Sequence, residues 1–259
     1  MDREFVRSEI IQLLQNLARK GMNSYITINE IIHNFENKPG YNGAVQNMVF
    51  EEIHLLLLNN VLMRAVGWGM VPAWNDLKLT EFGSKCLLEG YIIPLDPDGY
   101  LKQIKESVPQ IDILIFEYLS ESIATFNRSL VLSSTITLGV ASEQAVLLLI
   151  ESFCKFIENS TLRGYIDKFI KERFVSTKYD ILEECLDKLP KEVKSKLPDN
   201  YDTTIDTLFH FIKINRDKTG HPKGGGKDRG IQQSNLQAFK SYLSVIYKLI
   251  SYFDSNKLQ

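Results

Sequence analysis

Apolar residues return with helical period from Asp2 to Arg19, at Phe5, Ile10, Leu13, Leu14 and Leu17, which predicts a first helix with one buried stripe. In "TINEIIHNF", Thr27 stands three residues before Glu30, the signature of a capping box, so a short second helix opens there. "KPGYNG" breaks it, and "AVQNMVFEEIHLLLLNN" forms a third. The pattern then changes. Short apolar runs alternate with Gly67, Gly69, Pro72 and an Asn75-Asp76 turn, as in a β-hairpin. Thr80 caps a closing helix in "EFGSKCLLEG".

"IIPLDPDGY" carries Pro94, Pro97 and Gly99 and punctuates the chain. The expected organisation is one domain over 1–92, a linker over 93–108 and a second domain over 109–259. The second reads as helical almost throughout, so the fold class is mainly α. One long helix is expected from about Ile111 to Leu132, and a very apolar one from about Thr137 to Ile157. Shorter helices follow in "LRGYIDKFIKERF" and "YDILEECLDKL", then the charged connector "PKEVKSKLPDN". A further helix runs up to "FIKINRDKTGHPKGGGKDRG". The last one takes its start from Ser234 and Gln237, again at capping-box spacing. Its stripe of Leu236, Phe239, Leu243, Ile246, Ile250 and Phe253 steps by threes and fours, a seam suited to lie along another helix.

Composition adds limits rather than identity. The 259 residues are 44% hydrophobic and 24% charged, enough for a buried core in each half. Net charge is −2, so attraction to nucleic acid or an anionic membrane must come from a local patch. Cys86, Cys154 and Cys185 are scattered without metal-ligand spacing, as in a reducing compartment. The N-terminus "MDREFVRSEI" is charged, unlike a signal peptide, and no apolar stretch reads as an uninterrupted membrane span. The expectation is a cytoplasmic protein without a membrane partner, metal or cofactor.

Three helices, a two-stranded wing and a closing helix make residues 1–90 resemble a winged helix, most closely in "LKLTEFGSKCL". That family's third helix enters the major groove, where Arg, Lys, Asn or Gln read DNA. Here the third helix offers Glu51 and Glu52 and no Lys or Arg between Ala44 and Asn60. Residues 1–95 hold 8 basic against 10 acidic side chains, so phosphate repulsion opposes DNA binding. A protein-contact or dimerising role stands beside DNA reading.

The strongest chemistry sits where the penultimate helix ends. Ile205, Leu208, Phe209 and Ile212 form its inward stripe, and the next position on that stripe is Arg216. An inward arginine requires a partner, whether a carboxylate or an anionic ligand. Gly220 stops the helix, and Pro222 biases His221 away from helical geometry. On an unbroken helix, residues five apart are rotated by about 140° and cannot converge; the break frees His221 to swing back toward Arg216. Histidine suits proton transfer near neutrality, and arginine holds phosphate oxygens with a permanent planar charge. Together they fit metal-free RNA cleavage, in which the 2′-hydroxyl loses its proton and a crowded phosphorane is stabilised. Lys213, Lys218, Lys223, Lys227 and Arg229 form a local basic patch as substrate-binding candidates, and three glycines permit close backbone approach.

Arg216, Asp217, three residues and His221 resemble the Arg-polar-x-x-x-His signature of the HEPN family, over residues of about 105–255. The apolar "TLGVASEQAVLLLIESF" is similar to that fold's second helix. The resemblance implies a helical bundle, many of whose members are metal-independent ribonucleases in toxin–antitoxin, abortive-infection and CRISPR-linked systems. It implies Arg216, Asp217 and His221 as catalytic residues, an RNA substrate, a homodimer that joins two motifs in one cleft, and an antitoxin or defence-system protein as partner. HEPN toxins silenced by nucleotide addition carry tyrosine two residues after the histidine, where this chain has Lys223.

Structural readings stand beside these. His221 could cap the helix's last carbonyls, and Arg216 could pair with Glu143, which interrupts the stripe Val140, Leu147, Ile150 and Cys154. Glu143 would then orient Arg216 or simply bridge to it, and Arg128 could serve Glu143 instead. The second functional hypothesis is a catalytically idle HEPN-like module that binds nucleotide or RNA, or scaffolds a partner, under a winged-helix regulator. His33, His54 and His210 lack converging partners, and no P-loop, metal spacing or nucleophile elbow is present.

Overall fold

In the computed structural model, the residues described below are 1–21, 24–65, 75–206 and 228–258. The chain divides into two units, Met1–Leu101 with Asn127–Ser129, and Lys102–Phe126 with the residues from Leu130 onward. Helix dominates both.

In the first unit, α1 (Arg3–Lys20) is capped by Asp2, whose carboxylate accepts from Phe5 N at 2.8 Å. Its buried face is Val6, Ile10, Leu14, Leu17 and Ala18; the expected Phe5 is 38% exposed, because Val6 takes its place one position round the helix. β1 (Tyr25–Thr27) leads directly into α2 (Ile28–Glu36), which starts with the full capping box of Thr27 and Glu30. α3 (Gly43–Leu58) is capped by Asn42. β2 (Leu62–Arg64) and β3 (Asp76–Leu79) pair antiparallel, with Leu62 opposite Leu79. β1 adds to the other edge of β3, giving the order β1-β3-β2. The expected β-hairpin thus gains a third strand. Thr80 caps α4 (Glu81–Glu89) by accepting from Gly83 N at 2.8 Å, and left-handed Gly90 closes it.

A Cβ on Gly83 would lie 2.0 Å from the Val61 carbonyl oxygen, so α4 meets the chain just before β2 at backbone distance. Gly83→Ala is expected to destabilise this unit by about 1–3 kcal/mol through overpacking. Urea unfolding of the full chain tests it, and an unchanged midpoint would mean that the Val61 contact yields freely.

Residues 93–108, read as a linker, are largely helical: α5 (Ile92–Leu95) and α6 (Pro97–Ser107). Proline is acceptable at the first position of α6, where its missing N–H has no intrahelical partner. The divide between the units falls within α6.

In the second unit, α7 (Ile113–Asn127) begins at Asp112, whose carboxylate accepts from Leu114 N and Ile115 N. It ends earlier than the pattern suggested. Ser129 takes φ +63°, and Leu130 N donates back to Thr125 O, a helix-closing turn normally left to glycine. α8 (Val131–Ile157) therefore starts six residues before the expected Thr137. By length and composition it could cross a membrane, contrary to the sequence expectation, although 56% of its most apolar window is buried inside the structure. α9 (Gly164–Lys171), α10 (Val175–Asp187), α11 (Lys191–Lys194) and a helical stretch at 201–206 (α12) precede α13 (Arg229–Ser255).

α8 and α13 pack along one another and form the main helix pair among the described elements. The expected seam on α13 is present, with Tyr242 and Leu249 joining it and Ile250 only half-buried. α8 buries Leu138, Ala141, Ser142, Ala145, Leu149 and Phe153. Of the expected stripe Val140, Leu147, Ile150 and Cys154, only Ile150 is buried. Small residues at 139, 141, 142 and 145 let another helix approach closely, which favours the face beside the one selected from bulk alone.

Candidate functional site

Arg216, Asp217, His221, Lys213, Lys218, Lys223 and Lys227 lie outside the described residues, as does His210. The described side begins one residue later. Asp228 caps α13 by accepting from Gly230 N at 2.7 Å, which moves the start six residues ahead of the expected Ser234. Ser234 instead donates its hydroxyl to Gly230 O. Arg229 is the first helical residue. Its guanidinium carbon lies 5.1 Å from the Phe126 ring centroid, a cation–π distance, and the side chain is half-buried. Arg229 therefore differs from a freely solvated member of a basic patch: an aromatic face on α7 holds it at the head of α13.

Behind Arg229 lies a buried polar cluster that sequence reading missed. Ser122 on α7 donates to Ser134 O at 2.7 Å. Gln232 Nε2 donates to Ser134 Oγ at 2.9 Å, and Gln232 Oε1 accepts from Thr135 at 3.2 Å and Asn235 Nδ2 at 3.4 Å. Gln233 Nε2 and Asn235 Oδ1 are buried and have no hydrogen-bond partner among the described residues. The available signal was "QQSN", four polar residues in succession where α13 should already be apolar on one face. Such a network ties α7, α8 and α13 in one register and fixes the point from which α13 departs.

Glu143 is half-buried on α8, on the flank that also carries Val140 and Leu147. The deep burial expected for it does not hold, because the close-packed face of α8 runs through Ser142 and Ala145. Arg128 is exposed. Burial pushes the Cys154 thiol up to about 11 and the Cys185 thiol up to about 12, which leaves both protonated and unreactive near neutrality. Among the described residues no group of three or more His, Cys, Asp or Glu side chains could hold a metal ion.

A concavity lies between α10 and α12, with a volume of about 220 Å³. Tyr179, Leu182, Leu186 and Ile205 are its buried lining, and Tyr201 is half-buried. Glu183, Asp187, Asp202, Thr203 and Asp206 also line it.

In the first unit, the two glutamates of α3 separate. Glu52 is 2% exposed and faces Arg3 and Arg7, and Glu51 pairs with Arg3 at the surface. Glu52 thus cannot repel a docked phosphate, contrary to the sequence argument. The exposed side of α3 presents Asn47, Phe50, Glu51, His54 and Leu58, with Phe50 44% and Leu58 49% exposed. It mixes two large apolar side chains with polar ones and lacks lysine and arginine.

Comparison with protein-family models, curated proteins and solved structures finds no match to this chain.

Proposed function

We propose that the chain is a metal-independent endoribonuclease of HEPN type that acts in the cytoplasm, with a winged-helix-like module in front. The observation that carries the reading is the sequence Arg216-Asp217-x-x-x-His221, with Gly220 and Pro222 on either side of the histidine, ahead of α13 in the chain. His221 moves the proton at the ribose 2′-hydroxyl or the leaving 5′-oxygen, Arg216 holds the phosphorane oxygens, and Asp217 orients one of them. Lys213, Lys218, Lys223 and Lys227 bind the RNA backbone, while Arg229 stays on the Phe126 ring. Two copies join their motifs, and a defence-system or antitoxin protein restrains the enzyme. The α8–α13 pair supports this reading, because it supplies the rigid frame from which such a site would project.

Three helices against a β1-β3-β2 sheet, followed by a capped closing helix, support the winged-helix reading of the first unit. Its outward α3 face favours protein over DNA as the partner, since phosphate contacts call for cations that this face lacks.

The test incubates the full chain with RNA in EDTA beside His221→Ala and Arg216→Ala. The expected result is chelator-resistant cleavage leaving 2′,3′-cyclic phosphate ends, reduced on the order of 10²-fold or more in each variant. Equal cleavage by all three proteins, or none by any, removes the site. RNA retention without cleavage would assign the unit to binding instead.

A further inference from the structure

α9 is held to its unit on one side. Phe169 is 2% exposed and Ile166 is half-buried, so that side faces the core. Ile170, turned about 100° from Phe169, is 74% exposed. Three residues outside regular structure, Glu172 to Phe174, then join α9 to α10, and Phe174 is 72% exposed. These are the highest exposures among the described large hydrophobic residues. Phe174 takes the cap position of α10, where serine, threonine, aspartate or asparagine would accept from the first turn, and it makes no side-chain cap bond. Neither burial nor capping accounts for the ring.

Positive charge surrounds the two apolar side chains. Residues 163–178 hold five basic side chains against two acidic ones, in a chain of net charge −2. Arg163, Lys168, Lys171 and Arg173 are exposed; of the two acidic residues, Asp167 is exposed and Glu172 half-buried. Glu184 on α10 also feels Lys168, but it is paired with Lys188 at 2.6 Å and accepts from the Tyr165 hydroxyl. Whole-chain charge argues against a membrane partner, yet at this corner the local charge has the opposite sign. Exposed apolar side chains within a ring of cations are what seats a protein on an anionic bilayer. RNA fits less well, because aliphatic Ile170 offers no flat face on which a base could stack. A second copy of the same patch fits less well too, since two basic surfaces repel.

We propose that the α9–α10 corner docks reversibly on an anionic phospholipid surface. Ile170 and Phe174 enter the boundary between headgroups and acyl chains, and Lys171 and Arg173 meet the lipid phosphates. Two apolar side chains with a few cations give reversible attachment rather than a permanent anchor. The contact uses none of the residues of the ribonuclease reading and stands apart from it.

Flotation of the full chain with vesicles tests the contact. Vesicles of phosphatidylcholine mixed with phosphatidylglycerol are expected to carry the chain, and pure phosphatidylcholine to carry it on the order of tenfold less. Added salt releases it, because the cations are screened. Phe174→Ser, Ile170→Ser and Arg173→Glu each weaken binding on the order of tenfold or more, with unchanged circular dichroism melts as the control on folding. Phe174→Trp, whose ring suits the headgroup level, floats at least as well as the wild type. A wild-type chain that never floats overturns the proposal. So does equal flotation on neutral vesicles, or a Phe174→Ser protein that floats like the wild type, since the bound surface then lies elsewhere. Retention of single-stranded RNA that is lost in Arg173→Glu, without flotation, gives the patch to nucleic acid and also overturns it. Self-association lost in Phe174→Ser, without flotation, gives it to a second copy and does the same.

Discussion

Phe253→Ala is expected to destabilise the helical unit by about 3–5 kcal/mol, the range for emptying a buried phenylalanine site. Phe253 is 0% exposed and stands where α8 and α13 come together. Its ring centroid is 5.1 Å from that of Phe153 in edge-to-face geometry, 5.0 Å from that of Phe156 and 5.8 Å from that of Tyr252. Removing it takes away both the transferred apolar area and the central partner of three rings, none of which can move in to fill the space without leaving its own contacts. The melting temperature should fall by roughly 10 °C. Phe253→Leu keeps most of the volume and should cost about 1 kcal/mol. Thermal and urea unfolding of the full chain measure both, and equal losses for leucine and alanine would show that the aromatic geometry itself carries the stability.

Glu52→Ala should destabilise the first unit by about 3 kcal/mol, toward the lower end for breaking a buried pair. The Glu52 carboxylate accepts from Arg3 Nε at 2.8 Å and from Arg7 Nε at 2.7 Å and Nη2 at 3.1 Å. Arg7 also pairs with Asp96 and lies 3.8 Å from Asp98. Burial works against the Arg7 charge, yet the Glu52 hydrogen bond and the charges of Glu52, Asp96 and Asp98 outweigh it and hold its pKa above the usual arginine value. Loss of Glu52 would leave that guanidinium, with its side chain 12% exposed, to the two aspartates alone. The double variant Arg7→Met/Glu52→Leu should recover a large part of the loss, because no buried charge then remains uncompensated. Hydrogen exchange in α1 and α3, with urea unfolding, reads the effect; protection unchanged in Glu52→Ala would show the network to be ornamental.

Local rules carried the reading furthest where one side chain acts on its own backbone. Thr27 with Glu30, and Thr80 before α4, cap their helices as their spacing indicates. The seam on α13 was legible because it repeats over the length of a long helix. β1 was not legible, since three residues, Tyr25–Thr27, are too few to show alternation and acquire their state only by pairing with β3. Nor was the break after α7, because Ser129 enters the left-handed region without a glycine or proline to announce it. Glu52 misled for a different reason. Two adjacent glutamates look alike in a sequence, and only the arginines contributed from α1 decide which of them turns inward. Spacing and helix-breaking residues single out Arg216 and His221, which fall outside the described residues. Arg229, their described neighbour, owes its position to Phe126, which is distant in sequence and invisible to any local pattern.

The pairing of α8 with α13 also has a consequence during synthesis. α8 leaves the ribosome about a hundred residues before its mate is complete, which at ordinary elongation rates is roughly 5–20 s. Through that interval a 27-residue apolar rod, adequate in length and composition for a bilayer, has no α13 to cover it. The nascent chain is therefore a natural client for chaperones that shield greasy helices, and a message stalled between codons 157 and 229 would release a product prone to aggregate or insert into lipid.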